Sequence, residues 1–217
     1  MITLAIDAST YQGSVAVLND GELLSETTTA MKGADEERLM PAVASALAEA
    51  SVDLARIDRV VCGAGPGSFT SLRIAGGVAK GLASGLGCPL YSVPSIALIV
   101  AGADLPPGGY LAALDALRGE HYVGLYARGV DGEVHELQDA RLIQSSRLDD
   151  TAAETGAKLV GPANGGHAPR ARGVAHLARL LAERGEANVA EWEPAYGRLA
   201  EAQVRWESAH GRPLPRG

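Results

Sequence analysis

The chain has 217 residues, of which 47% are apolar and only 4% are aromatic. This apolar content excludes a disordered chain, and because Phe69 is the sole phenylalanine, the core must consist mostly of Ala, Val, Leu and Ile. The formal net charge of -7 argues against unaided binding to nucleic acid, since that affinity comes largely from lysines and arginines. A local basic patch could still contact nucleic acid, and its candidate residues are Arg170, Arg172, Arg205 and Arg212. The alternative is that these arginines belong to an ordinary solvated surface.

The first segment and the cysteines predict a cytoplasmic protein. Residues 1–7, "MITLAID", lack a basic start and reach an aspartate within one short strand, so we expect neither a signal peptide nor a membrane span. Cys62 and Cys88 lie in apolar segments and are too few to staple a chain of this length. This favours free thiols in a reducing compartment over a disulfide.

In chain order, the first half predicts three antiparallel strands and then alternating helices and strands. The turn "NDGE" (19–22) is of the Asp-Gly type that joins the two strands of a hairpin. The predicted elements are strands at 2–7, 13–18 and 22–28, a helix at 35–50, a strand at 58–64, a helix at 70–86, a strand at 89–93 and an apolar helix from about residue 94.

A break rich in proline and glycine, "DLPPGG" (104–109), separates this half from a second one that begins in the same way. The segment "AALDALRGEHYVGLY" (112–126) aligns without gaps with "LAIDASTYQGSVAVL" (4–18), which places Asp115 on Asp7. In the second half we predict strands at 110–115, 121–128 and 133–138, a helix at 146–156, a strand at 157–161 and a helix at 173–185.

This repeat predicts an α/β fold of duplicated βββαβα units, the actin-like ATPase fold of the ribonuclease H-like class. One short match can also arise by chance in a chain rich in Ala and Leu. We assign residues 1–104 to an N-terminal subdomain and residues 105–217 to a shortened C-terminal subdomain with an extended tail. In this fold a nucleotide sits between the halves, where a carboxylate positions Mg²⁺ and the phosphates meet the first hairpin of each half.

The candidate nucleotide contacts follow from that placement. Asp7 ends the first strand and precedes the hairpin that holds Ser9 and Thr10, and Asp115 occupies the matching position in the second half. Gly165 lies in the loop "GPANGG", whose glycines let the backbone approach an adenosine. The alternative is that both aspartates cap turns at strand ends and that the glycine loop is only a flexible link.

The stretch "GAGPGSFTSLR" (63–73) resembles a phosphate-binding loop but meets neither phosphate signature. Ser68 stands where G-x-G-x-x-G needs its last glycine, no G-K-[ST] follows, and Pro66 lacks an amide hydrogen. Ser68 or Thr70 is better explained as the N-cap of the next helix, its side-chain oxygen accepting a free amide. Anion binding at that helix start stays open as the alternative.

Two neighbouring helices are more apolar than one buried face requires. From residue 39 to 50 only two residues are polar, and Gly77, Gly81 and Gly85 form a smooth stripe on the next helix. The stripe favours a close backbone approach by the protein's own sheet or by a second chain, and we predict the second chain. The predicted contact residues are Leu39, Met40, Val43, Leu47, Phe69, Thr70, Leu72, Arg73, Gly76, Gly77 and Lys80.

Catalytic groupings are hard to find in the sequence. The five histidines include no pair four residues apart for a metal, and "GPGSF" does not form the G-x-S-x-G elbow of serine hydrolases. We therefore predict no catalytic residue, no metal site and no cofactor.

Several motifs nevertheless resemble one known family over most of the chain. They are "LAIDAST", "GPGSFTSLRIA" followed by "AKGLASGLG", "ALDALRGEHYVGLY" and the tail "PAYGRLAEAQVRW". The chain resembles the TsaB family, once called YeaZ. The resemblance implies an actin-like fold and a non-catalytic partner of the paralogue TsaD, which holds the metal, in a complex that the ATPase TsaE joins.

The resemblance also implies the reaction and the interface. TsaD-type enzymes transfer a threonylcarbamoyl group from its adenylate to adenosine 37 of tRNA, and TsaB proteins dimerise through helices corresponding to 35–50 and 70–86, a surface that TsaD also uses. Many TsaB sequences carry a histidine where this chain has Asp35, which leaves the role of that side chain open. Older family labels mention a peptidase, but no nucleophile is paired with a base here.

Two other functions remain as alternatives. An ATP-dependent enzyme of the actin-like class would use the cleft between the halves, and a module that binds tRNA directly is disfavoured by the negative charge. We expect contact with tRNA only through the complex, and a homodimer when the chain is alone. Residues 198–217 include a candidate helix, "RLAEAQVRWESAH", of unassigned role.

Overall fold

The computed structural model describes residues 1–31, 37–197 and 210–211. The first half contains β1 (Ile2–Asp7), β2 (Gln12–Asn19), β3 (Glu22–Ala30), α1 (Leu39–Glu49), β4 (Arg59–Gly63), α2 (Phe69–Leu86), β5 (Leu90–Val93) and α3 (Ala97–Ala101). The second half contains β6 (Gly108–Asp115), β7 (Glu120–Arg128), β8 (Val134–Gln144), α4 (Leu148–Thr155), β9 (Lys158–Val160), α5 (Ala178–Arg184) and β10 (Glu186–Ala187).

The first sheet has the strand order β10-β5-β4-β1-β2-β3. Strands β1, β2 and β3 form an antiparallel meander, and β4 and β5 follow parallel to β1. The turn between β2 and β3 places Asp20 (φ 50°) and Gly21 (φ 86°) in the left-handed region, as a two-residue Asp-Gly hairpin requires.

The second sheet repeats this topology in shorter form, with the strand order β8-β7-β6-β9. Strands β6, β7 and β8 form an antiparallel meander, and β9 runs parallel to β6 as β4 runs parallel to β1. Asp115 ends β6 as Asp7 ends β1. The duplicated actin-like fold predicted from the sequence is thereby confirmed, including the shortening of its second unit.

The chain returns to the first sheet near its end. Strand β10 pairs antiparallel with β5, Glu186 facing Tyr91. Residues that follow the second sheet in the sequence therefore complete the first sheet. The first sheet is thus not formed by residues 1–104 alone.

Helix α1 begins later than the predicted 35–50. The Glu37 carboxylate accepts hydrogen bonds from the backbone N–H groups of Leu39 (2.5 Å) and Met40 (3.2 Å), which satisfies two free amides of the first turn. The helix thus begins at Leu39, and residues 35 and 36 lie outside the described residues.

The helix predicted at 173–185 is divided in two. Residues 171–176 form a 3₁₀ turn and α5 begins at Ala178. A Cβ on Gly173 would lie 2.7 Å from the amide nitrogen of Gly102, so this turn is pressed against the end of α3. The absence of a side chain at Gly173 permits that close approach, and Leu177, whose backbone is not helical, separates the turn from α5.

Two apolar cores lie on opposite faces of the first sheet. Helices α1 and α2 cover one face, where Leu4, Ile6 and Val60 are fully buried or nearly so. Helix α3 lies on the other face between the two sheets, buried along its whole length and packed with Tyr110 and Tyr126. Helix α3 therefore lies in one apolar cluster with residues of both sheets and links the two halves.

Candidate partner surface and interdomain cleft

The glycine-rich loop after β4 packs closely on the turn after β1. A Cβ on Gly67 would collide with the Ser9 carbonyl oxygen, and a Cβ on Gly63 would collide with the Asp7 carboxylate. The Ser68 N–H donates a 2.7 Å hydrogen bond to the Ser9 carbonyl. These glycines therefore allow two backbone segments of the chain itself to meet.

Ser68 occupies the N-cap position of α2, but its hydroxyl accepts no helix amide. It lies 3.1 Å from the Ser71 hydroxyl instead. The sequence prediction of a side-chain cap by Ser68 is wrong in this respect, because the neighbouring hydroxyl takes the hydrogen bond.

Asp7 is fully buried behind the first hairpin. Its Oδ1 accepts hydrogen bonds from the Ser9 N–H (3.0 Å) and the Ser9 hydroxyl (2.8 Å), whereas Oδ2 accepts none. Burial raises the pKa of this carboxyl, despite the opposing effects of the nearby Ser95 hydroxyl and of the Ser9 hydrogen bonds. Asp7 thus caps the turn after β1 and does not line the cleft.

A cleft of about 930 Å³ lies between the two halves. Of the predicted nucleotide residues, Ser9 and Thr10 line one wall and Asp115 lines the other. Oδ1 of Asp115 accepts a 2.7 Å hydrogen bond from the Leu117 N–H and so caps its own turn. The loop "GPANGG" (161–166) contributes Asn164 and the two residues before it to the lining of the cleft, but Gly165 does not line the cleft.

The β6–β7 turn at the rim of this cleft has an uncommon backbone conformation. Leu117 (φ 62°) and Arg118 (φ 57°) are both left-handed although neither is glycine, and both line the cleft. These two residues were not predicted as part of the site, since a Leu-Arg pair gives no turn signal of the Asn-Gly kind.

Helices α1 and α2 lie side by side on the first sheet, but several predicted contact residues face inward. Leu39 and Leu72 are 0% exposed, and the others of this inward set are also buried. The buried set is Leu39, Val43, Leu47, Leu72 and Gly76. These residues attach the helices to the chain's own core, so they offer no surface to a partner.

The outward face of the two helices is open. Met40 is 41% exposed, and Phe69, Thr70 and Arg73 are also exposed. A Cβ added to any of the stripe glycines, Gly77, Gly81 and Gly85, would meet no atom of the described residues within 4 Å. The stripe therefore does not serve packing against the protein's own sheet, which was the alternative left open by the sequence.

A C-terminal segment that the sequence analysis did not place runs across α2. We call residues 188–197 the strap. A Cβ on Gly76 would lie 3.1 Å from Pro194 and 3.4 Å from Trp192, and the Lys80 ammonium donates a 3.0 Å hydrogen bond to the Trp192 carbonyl. Gly76 and Lys80, both predicted to contact a partner, thus contact the strap.

The end of the strap reaches the cleft. The Ala195 N–H donates a 2.7 Å hydrogen bond to the Ala64 carbonyl in the glycine-rich loop. The Tyr196 ring packs on the Phe69 ring, with their centroids 4.6 Å apart. The Arg73 guanidinium also contacts Phe69 and lies 5.4 Å from the centroid of its ring. The only sequence signal was "PAY" in the family-like tail, which gave no placement.

The described ranges show no cluster of three or more His, Cys, Asp or Glu side chains that could hold a metal ion. They also contain no helix that is long and apolar enough to cross a bilayer.

The His121 side chain contacts the Ser145 hydroxyl, and its Nδ1 lies 2.9 Å from the Ser145 Oγ. Of these two residues, only His121 lines the cleft. Cys62 and Cys88 are free thiols.

The comparisons with known proteins agree with one another. A family model described as TsaD, tRNA N6-adenosine threonylcarbamoyltransferase, matches residues 22–187. The tRNA threonylcarbamoyladenosine biosynthesis protein TsaB of Bacillus subtilis (strain 168) is 30% identical over 95% of this chain and 98% of its own length. TsaB of Escherichia coli (strain K12) is 36% identical over 62% of this chain, which spans 59% of that protein.

The fold comparison gives the same family. The structure of YeaZ from Pseudomonas aeruginosa superimposes with a TM-score of 0.74 at 28% sequence identity, covering 90% of this chain and 99% of that one. A full-length match in sequence and in fold shows that the chain belongs to the TsaB (YeaZ) family of tRNA threonylcarbamoyladenosine biosynthesis proteins.

Proposed function

We propose that the chain is a non-catalytic subunit that pairs with a TsaD-type threonylcarbamoyltransferase through the exposed face of α1 and α2. The observation that carries this proposal is the open stripe of Gly77, Gly81 and Gly85. A glycine inside a helix costs roughly 1 kcal/mol relative to alanine. Because nothing in the described part of the chain needs the missing side chains, a gain outside it accounts for their presence.

The surroundings of the stripe suit a helix of another protein. Thr70 and Arg73 are exposed on the same face of α2, Met40 is exposed on the neighbouring helix α1, and absent side chains let two helix backbones approach closely. Exposed apolar and arginine side chains around a smooth centre are typical of protein interfaces. We propose the same face for the homodimer that forms without TsaD.

An accessory role is also supported by the carboxylates of the cleft. The fold would use Asp7 or Asp115 to position the metal of a bound nucleotide, but Asp7 is buried behind the hairpin and Asp115 caps a turn. The described residues therefore do not fit a magnesium nucleotide well. We propose that the transfer chemistry belongs to TsaD, that TsaE joins the complex, and that tRNA is reached only through it, since the chain carries a net charge of -7.

The experiment is a binding measurement with the TsaD protein of the same organism. Gly81→Leu fills the stripe and Met40→Glu charges the face, and each is expected to weaken TsaD binding at least about tenfold and to shift the isolated chain toward monomer. The controls are Ala153→Leu on α4 and Leu137→Glu on β8, which introduce the same residues, Leu and Glu, at exposed positions elsewhere. Unchanged binding and dimerisation in both face variants would reject the proposed surface.

A second candidate, an ATP-dependent enzyme, is favoured by the cleft of about 930 Å³ between the halves. Calorimetry with Mg-ATP on the isolated chain separates the two functions. Micromolar binding that Asp115→Ala abolishes, together with ATP turnover, would support the enzyme, whereas the accessory role predicts no turnover by the chain alone.

A further inference from the structure

The strap borders the open face of α2. Gly76 and Gly77 are consecutive, yet a Cβ on Gly76 would contact Pro194 and Trp192, whereas a Cβ on Gly77 would meet no atom within 4 Å in the part of the chain that the structure describes. Glu193 and Ala195 on the strap are themselves exposed. A helix seated on the stripe would therefore have the strap along one of its sides.

The strap also joins the first half to the wall of the cleft in the second half. It is bonded to α2 through Lys80 and to the glycine-rich loop through Ala195. Beyond these bonds, Tyr196 lines the cleft, and a Cβ on Gly197 would lie 2.7 Å from the Tyr122 ring on β7. One short segment thus contacts the partner-facing helix and both walls of the cleft.

A stack of three side chains connects the same two regions more directly. Arg73 is exposed on the open face and lies over the Phe69 ring, which packs on the Tyr196 ring. Phe69 and Tyr196 both line the cleft. A group that engages Arg73 from outside therefore acts on a stack whose other end forms part of the cleft wall.

We propose that the strap couples the two regions: partner binding on α2 favours the seated strap, and the seated strap holds the cleft at the width seen in this structure. The inference rests on the proposed function for its first half, since it takes TsaD as the occupant of the open face. Linkage makes the effect reciprocal, so release of the strap must weaken partner binding by the factor by which the partner favours seating.

The isolated chain tests the link between strap and cleft. Gly76→Val drives a side chain into Pro194, whereas Gly77→Val makes the same change one residue away in open space. Hydrogen exchange at the Ala195 amide reports seating of the strap. Spin labels at Gln12→Cys and Ala163→Cys, exposed positions on opposite walls, report the cleft width in a Cys88→Ser background.

We expect Gly76→Val to speed exchange at the Ala195 amide about tenfold and to broaden the label distance toward longer values, whereas Gly77→Val leaves both unchanged. If Gly76→Val does not fold, Lys80→Met replaces it, because it removes the hydrogen bond to the Trp192 carbonyl from a part-exposed position. A released strap with an unchanged label distance would overturn the link to the cleft.

TsaD tests the link between strap and partner. We expect TsaD to slow exchange at the Ala195 amide of the wild type and to bind Gly76→Val about tenfold more weakly. Full TsaD affinity of a variant whose strap is released would overturn the coupling while leaving the partner surface intact. Full TsaD affinity and unchanged dimerisation of both Gly81→Leu and Met40→Glu would instead reject the partner surface, and the strap and cleft measurements on the isolated chain would still stand.

Discussion

Glu26 on β3 and Arg170 before the 3₁₀ turn 171–176 form a bidentate ion pair that joins the two halves of the chain. The Arg170 guanidinium donates hydrogen bonds of 3.0 and 2.6 Å to the two carboxylate oxygens. The Glu26 side chain is 6% exposed. The Ser14 hydroxyl donates to the same carboxylate and accepts from the Ala171 N–H, which completes a buried polar network.

Breaking this pair should destabilise the fold. Arg170→Met leaves the buried Glu26 carboxylate without its main partner, and we expect a loss of about 2–4 kcal/mol in the free energy of unfolding. Urea denaturation measures the loss. Glu154→Gln removes a partner of the exposed Arg147 and serves as the control, with an expected change below about 0.5 kcal/mol. Equal effects of the two variants would contradict a structural role for the Glu26 pair.

The same pair predicts a dependence on pH. Burial alone would raise the pKa of Glu26, but hydrogen bonds from Arg170 and Ser14 lower it below its ordinary value of 4.5. A lowered folded pKa contributes stability above pH 4.5 that is lost as the pH falls through the folded value. The stability difference between wild type and Glu26→Gln should therefore shrink as denaturation is measured at successively lower pH below 4.5.

Asp7 predicts the opposite slope. Its pKa is raised by burial above the ordinary value of 3.8, so the unfolded chain loses this proton at a lower pH than the folded chain does. The contribution of Asp7 to wild-type stability should fall as the pH rises from 3.8 through the folded value. Asp7→Asn keeps an oxygen that accepts from Ser9 and removes this dependence, so its stability relative to wild type should increase over that range. Parallel pH profiles would show that Asp7 is not held protonated.

The stripe glycines should show a conflict between stability and assembly. Gly77→Ala places its methyl group in open space and should stabilise the isolated monomer by roughly 0.5–1 kcal/mol. The same variant should weaken TsaD binding, because the partner backbone can no longer approach as closely. Gly67→Ala is the contrasting change: its methyl group would collide with the Ser9 carbonyl, so it should destabilise the chain.

The two thiols should differ in reactivity. Cys62 is fully buried, and burial raises the pKa of its thiol far above the ordinary value, whereas Cys88 is partly exposed. Alkylation of the native protein at pH 8 should modify Cys88 alone, and Cys62 should react only after unfolding. Mass spectrometry of the alkylated peptides measures both rates.

Much of the fold followed from local pattern. The Asp-Gly turn fixed the β2–β3 hairpin, and the alignment of Asp115 with Asp7 predicted the second meander and its matching strand order. Strand β10 escaped prediction because it has only two residues and is defined by pairing with β5, a contact across about half the chain.

The site was predicted less completely than the fold, for a physical reason. The hydrophobic pattern of a helix indicates that its apolar residues are covered, but it does not show whether the chain itself or a partner covers them. Leu39 and Leu72, which lie in the chain's own core, therefore could not be distinguished from Met40, which faces outward. The strap has no regular secondary structure of its own beyond turns. Only its contact with Gly76 reveals why that glycine lacks a side chain.

The adjacent positions 76 and 77 of α2 should covary with different residues among related sequences. Position 76 is restricted by residues 192 and 194 of the same polypeptide, whereas position 77 is restricted by nothing in the described part of it. Among related sequences, a larger residue at 76 should be accompanied by smaller ones in the strap. A larger residue at 77 should instead be accompanied by changes on the surface of a binding partner, either TsaD or the second copy of this chain. One position would then covary within the folded chain and its neighbour across an interface.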